Sequence, residues 1–172
     1  MKTRVIVAVV LGALLLSAGA AFAQVYGGSG GPGSEANPYL RLKAGWFQPS
    51  DSDLDGDIAL GLEYVVPAQQ AYLGVDRLHA TGTDTESTTW SLMGGVYRTA
   101  KSGTYPVYYG AGVGIARETL EQVGLPDDTR TRFAWEAGVG LQIGRKGFAE
   151  IHYRDGGSDA NRGPVLCVGV SY

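Results

Sequence analysis

Eight segments of period-two alternation recur along the chain, separated by clusters of Gly, Pro, Asp and Ser: Tyr39 to Gln48, Asp57 to Val66, Gln70 to Ala80, Thr88 to Thr99, Tyr105 to Glu118, Thr131 to Ile143, Gly147 to Asp155 and Pro164 to Tyr172. Successive side chains of a strand point to opposite sides, so each segment has two faces. One face is apolar, as in Leu40, Leu42, Ala44 and Trp46, or Phe133, Trp135, Ala137, Val139 and Leu141. The other carries Arg41, Lys43, Glu63, Asp76, Glu118, Arg132, Glu136, Glu150, His152 and Arg154. A soluble sandwich or barrel would put its apolar face inward and its charges outward, but every apolar face here could also meet lipid around an ionic centre. An even number of strands closed into a ring leaves no unpaired edge, and it is the count that single-chain membrane barrels require. The expected fold is therefore all-β, an eight-stranded antiparallel up-and-down transmembrane barrel over residues 39–172. Arg77 falls on the apolar face, where the membrane midplane would cost about 2–4 kcal/mol and the interface little. The pattern thus predicts a bulge there or a place near the bilayer edge.

The start of the chain points to export. Lys2 and Arg4 precede an apolar run from Val5 to Leu16, and Ala21-Phe22-Ala23 has the small-residue form of a cleavage site, so residues 1–23 are predicted to be a signal peptide. Residues 24–38 are rich in Gly and Ser without periodicity and read as a flexible lead-in. Removing Lys2 and Arg4 leaves 12 basic residues against 17 acidic ones, a net charge of −5. That balance makes nucleic acid a poor partner. Cys167 is the only cysteine, which excludes an internal disulfide framework. No apolar run of helix-spanning length follows residue 23, so any crossing of a bilayer is by strands.

Connections and aromatics add sidedness. The intervals PSDSDLDG, PAQ, TGTDTES, AKSGT, TLEQVGLPDDTR, GRK and GGSDANRG alternate long and short, as in a meander with long loops outside and short turns in the periplasm. Sorted by height, Tyr39, Tyr64, Tyr72, Tyr97, Tyr105, Phe148 and Tyr172 fall near the short-turn end, and Trp46, Phe47, Trp90, Phe133, Trp135 and Tyr153 near the long-loop end. Two such groups predict aromatic girdles at the two interfaces. The stretches YLRLKAGWFQPSDSDLDGDIALGLEYVVP, YYGAGVGIA, AWEAGVGLQIG and FAEIHYRDGG resemble the outer-membrane protein β-barrel domain family, the small barrels related to the transmembrane domain of outer-membrane protein A. The final strand, GPVLCVGVSY, is similar to the terminal signal that the barrel-insertion machinery recognises, an alternation ending on an aromatic, here Tyr172. The resemblance implies residence in the outer membrane of a Gram-negative bacterium, contact with its lipid and lipopolysaccharide, and no single activity.

Three constellations could carry chemistry. Asp51, Asp53, Asp55, Gly56 and Asp57 match the opening of a calcium loop, but position twelve is Leu62 in place of the closing acid. The expectation is a solvated acidic loop and no cofactor, with a Ca²⁺ site on the four aspartates as the alternative. His152, Gly156, Gly157, Asn161 and Gly163 look like the catalytic segment of the lipid A 3-O-deacylases, but the position of that segment's Ser holds Arg154, and no acid follows Gly163. Without a nucleophile that chemistry has no attacking group; Ser158 is the one candidate that could converge on His152 in space. Finally, the inward charges are expected to pair and fill a lumen that eight strands leave only just wide enough for side chains. The predicted role is structural or surface-interacting, with the outer loops as a recognition surface for an extracellular ligand and without enzymatic activity. A narrow passive pore and a lipid A-modifying enzyme are the alternatives.

Overall fold

A computed structural model describes residues 37–100 and 106–172. The predicted signal peptide, residues 24–36 of the lead-in, and Tyr105 lie outside the described residues. The strands are β1 (Tyr39–Phe47), β2 (Asp55–Val66), β3 (Ala71–Thr81), β4 (Thr85–Ala100), β5 (Val107–Gln122), β6 (Asp128–Ile143), β7 (Gly147–Asp155) and β8 (Arg162–Ser171). Each pairs antiparallel with its neighbours in sequence, and β8 returns to β1, so the sheet is a closed barrel. Register partners run from Leu42 through Leu62, Val75, Leu92 and Ile115 to Phe133. That row begins near the start of β1 and ends near the start of β6, at opposite ends of the apolar belt, so the strands are steeply tilted, as closure demands.

The strands follow the expected alternation of faces. Among the described residues twenty-seven large apolar side chains are exposed, and all but Val123, Leu125 and Tyr172 stand on strands. Inside, Arg41, Lys43, Glu63, Asp76, Glu136 and Arg154 are each at most 6% exposed. An apolar surface that encircles the whole molecule far exceeds the patch a soluble monomer tolerates.

Two expectations about the connections need correction. β4, β5 and β6 are 16 residues each and run on through segments expected to be loops. The third connection shrinks to residues 82–84, closed by the Gly82 amide donating to the Thr85 carbonyl at 2.6 Å, and the fifth to residues 123–127. The strict alternation of long and short is lost as a result. The β-branched Thr88, Thr119 and Thr129 continue the ladder, with Thr119 and Thr129 hydroxyls 3.3 Å apart, so these hairpins rise as a polar wall above the apolar belt.

Arg77 lies next to an irregularity and also at the belt's edge. The register of β2 against β3 slips between Gly56 and Ala59. The extra residue brings Asp57 beside His79, one turn of the alternation above Arg77, with Asp57 Oδ2 3.5 Å from His79 Nε2. Arg77 itself pairs with Trp90, level with the aromatics of the loop end.

Candidate functional site: the ionic lumen and its two caps

Lys43, on β1, and Arg154, on β7, are the two centres of the interior. Both point inward by the alternation of their strands and both are sealed from solvent. The Lys43 ammonium lies 2.6 Å from Glu63, 3.3 Å from Asp76 and 3.3 Å from Glu150. Arg154 places Nη2 2.6 Å from Asp76 and 2.5 Å from Glu136, while its Nη1 donates to Ser91 Oγ at 2.7 Å. Asp76 joins the two centres, one oxygen facing the lysine and the other the arginine. The Tyr72 hydroxyl donates to Glu136 at 2.7 Å and the Tyr108 hydroxyl to Glu150 at 3.0 Å, so the carboxylates hold further donors besides the cations. His152 stands 3.9 Å from Glu136 and 3.7 Å from Glu150. A buried ion repays its desolvation only with close partners and satisfied lone pairs, and this arrangement supplies both.

Eight of the ten expected lumen residues belong to this network, with Arg41 at its turn-end edge, 3.9 Å from Glu63. The other two do not. Glu118 lies above it and accepts the Ser158 hydroxyl on both oxygens at 2.9 and 2.8 Å. Arg132 donates to the Gly157 carbonyl, and so fastens the last loop rather than the lumen. Both sit on strands that outrun the network, where inward parity no longer means the charged layer.

The aromatic assignments divide the same way. Trp46, Trp90, Trp135 and Tyr153 project outward at the loop end, Trp135 and Tyr153 with ring centroids 6.0 Å apart, and Tyr64 and Tyr172 are exposed at the turn end. Tyr39, Tyr72, Tyr97 and Phe148 were expected in the girdle but turn inward, and Phe47 at the other end is 1% exposed. Tyr39, Tyr97, Tyr108 and Phe148 form an aromatic layer around the Arg41 guanidinium, whose carbon lies 5.6, 6.0, 4.6 and 4.9 Å from their ring centroids in that order. Interior glycines accommodate these rings: a Cβ on Gly112 would stand 2.3 Å from the Tyr72 hydroxyl, and one on Gly140 2.3 Å from the Tyr108 ring. Tyr72, Ser91 and Tyr108 are thus partners of the charges that sequence reasoning did not find. Their parity was the available signal, since Tyr72 lies two positions from Gly74 and four from Asp76.

At the loop end the lumen is closed by an apolar cluster of Phe47, Leu54, Ala59, Leu78, Ala80, Ala160, Val165 and Cys167. Leu54 and Ala160 come from the first and last loops, which are joined by Ser50 N to Arg162 O at 2.7 Å and Asp51 N to Asp159 O at 3.2 Å. A cavity of about 50 Å³ reaches the network, and at the turn end a mouth of about 520 Å³ is lined by Tyr39, Arg41, Tyr97, Tyr108 and Gln142. The interior is therefore a well open at the turn end and capped at the other.

The four loop-one aspartates do not converge. Asp51 accepts the Asp53 amide at 2.9 Å, Asp57 accepts the Ile58 amide at 2.7 Å and faces His79, and Asp55 is exposed at the start of β2. Among the described residues no three acids, histidines or cysteines are grouped to hold a metal. Millimolar Ca²⁺ is accordingly expected to leave the melting temperature of the folded barrel unchanged; a rise abolished by Asp53→Asn would restore the calcium site.

No family model matches the chain, and no curated protein matches it. Solved structures do. Neisserial surface protein A is 16% identical, with 78% of this chain and 92% of that chain covered and a TM-score of 0.49. The attachment invasion locus protein Ail of Yersinia pestis is 14% identical, with 78% and 96% covered and a TM-score of 0.48. A de novo designed transmembrane β-barrel is 13% identical, with 78% and 93% covered and a TM-score of 0.51. The likeness is one of fold alone, that of a closed antiparallel β-barrel.

Proposed function

We propose that this chain is an outer-membrane barrel of a Gram-negative bacterium with a structural or surface-interaction role, and that it carries out no reaction. The observation that supports it most is the inversion of its surfaces, a belt of exposed Leu, Val, Ile and aromatic side chains around a buried ionic interior. In water that belt would forfeit roughly 1.5–3 kcal/mol for each large side chain left unburied; in lipid it is at home. Tyr172 exchanges backbone hydrogen bonds with Leu40 at 3.3 and 2.9 Å, which closes the seam between β1 and β8 and leaves no open sheet edge to face lipid. The tip between β5 and β6, with Val123 80% and Leu125 61% exposed, is the natural recognition surface of the loop end.

The competing readings find less support. The candidate nucleophile Ser158 is bonded to Glu118, while His152 sits among Glu136 and Glu150. The lumen holds paired charges beneath an apolar cap, so planar-bilayer recordings should show baseline current and no steady conductance. The outer-membrane fraction should contain a band that migrates anomalously until boiled. A heat-insensitive band confined to the soluble periplasm would end the membrane reading, and a large steady conductance would replace the closed barrel by a pore.

A further inference from the structure

Arg77 on β3 and Arg117 on β5 face outward on either side of Trp90, in one register row across three adjacent strands. Two strand spacings put their Cα atoms about 10 Å apart. Neither has an ion-pair or hydrogen-bond partner among the described residues. The nearby acids do not compensate them, because Asp57 and Glu86 are turned to His79 at 3.5 and 3.6 Å. The row lies at the loop-end rim of the apolar belt: below it come Val75, Leu92 and Ile115, above it His79, Thr88, Thr119 and the rest of the polar wall. An uncompensated guanidinium at that depth calls for an anion of the headgroup layer, and planar guanidinium matches phosphate with paired donors.

We infer that Arg77 and Arg117 form a clamp for a glycolipid headgroup bearing two phosphates, its sugar body against Trp90 and the threonine wall. The inference rests on the membrane reading and deepens it. A glycerophospholipid offers one phosphate and a thin headgroup, whereas here Thr131 stands level with Arg117, and Thr88, Thr119 and Thr129 form the next outward row above the arginines, presenting hydroxyls to a thicker, polar one.

The full chain, refolded into phosphatidylcholine vesicles and scored for insertion by unboiled gel mobility, would be transferred to micelles and titrated by native mass spectrometry with diphosphoryl lipid A, monophosphoryl lipid A and phosphatidylglycerol. The diphosphoryl lipid should bind best, and R77Q/R117Q should weaken it by about thirtyfold, two surface arginines' worth of attraction. R98Q, an outward arginine at the opposite rim, should bind like the unmodified chain. Failure to insert would sink the membrane reading itself. Insertion with equal binding of all three lipids, or with binding indifferent to R77Q/R117Q, would overturn the clamp alone.

Discussion

Arg154→Ala is expected to destabilise the barrel by about 3–5 kcal/mol, because it strands charges that have no other route to neutrality. The side chain is 0% exposed and engages Asp76, Glu136 and Ser91 together. Without it, Glu136 retains Tyr72 and a distant His152, and Asp76 retains Lys43, which already serves two other carboxylates. Urea unfolding in vesicles, followed by tryptophan fluorescence, would read the loss. The triple variant Arg154→Met, Asp76→Asn, Glu136→Gln should recover most of it, since neutral groups of similar volume cost far less to desolvate than unpaired charges. A single-variant cost below about 1 kcal/mol would mean that water reaches Arg154 and that the pairing is incidental.

Gly45→Val should impair closure itself, at an expected cost of at least about 3 kcal/mol, the upper range of overpacking. Gly45 sits in the seam where β1 meets β8, opposite Cys167. A Cβ there would stand 1.9 Å from the Leu166 carbonyl oxygen and 2.7 Å from the Cys167 Cα, both backbone atoms that cannot move without parting the two strands. Gly74→Ala is the control: its Cβ would come nearest the Glu63 side chain, at 3.0 Å, with the Leu62 carbonyl oxygen at an ordinary 3.4 Å, and should cost no more than about 1 kcal/mol. The measurement is the fraction of refolded protein running as the compact unboiled band. Equal yields for the two variants would show that the seam has slack.

The faces of the strands were legible because period two is a local rule: Arg41 and Lys43, or Glu150, His152 and Arg154, declare one side of the sheet within five residues. Parity also bears on the aromatics, and sorting these by height alone misplaces them. Tyr39 shares parity with Arg41 and Phe148 with Glu150, so both belong inside, where the rings enclose a guanidinium instead of meeting lipid. The apolar cap had no such signal. Leu54 and Ala160 lie in loops without period, and they meet only because the closure of β1 on β8 brings the first and last loops together. The long hairpins were hidden for a related reason: Thr and Glu look like loop composition, and only pairing with an equally long neighbour turns them into strand.

The unequal caps give the interior an electrical address. Apolar side chains from β1, β2, β3, β8 and two loops cover the loop end, while the cavity that touches Lys43, Glu63, Glu136, Glu150 and His152 continues toward the mouth of about 520 Å³ at the other. In a membrane, protons and small ions are therefore expected to reach these groups from the turn end. In vesicles with uniformly oriented barrels, a pH step applied at the turn end would perturb the buried charges promptly, and the same step at the loop end would leave them as they were. Though the chain crosses the whole belt eight times, its charged centre opens toward a single side.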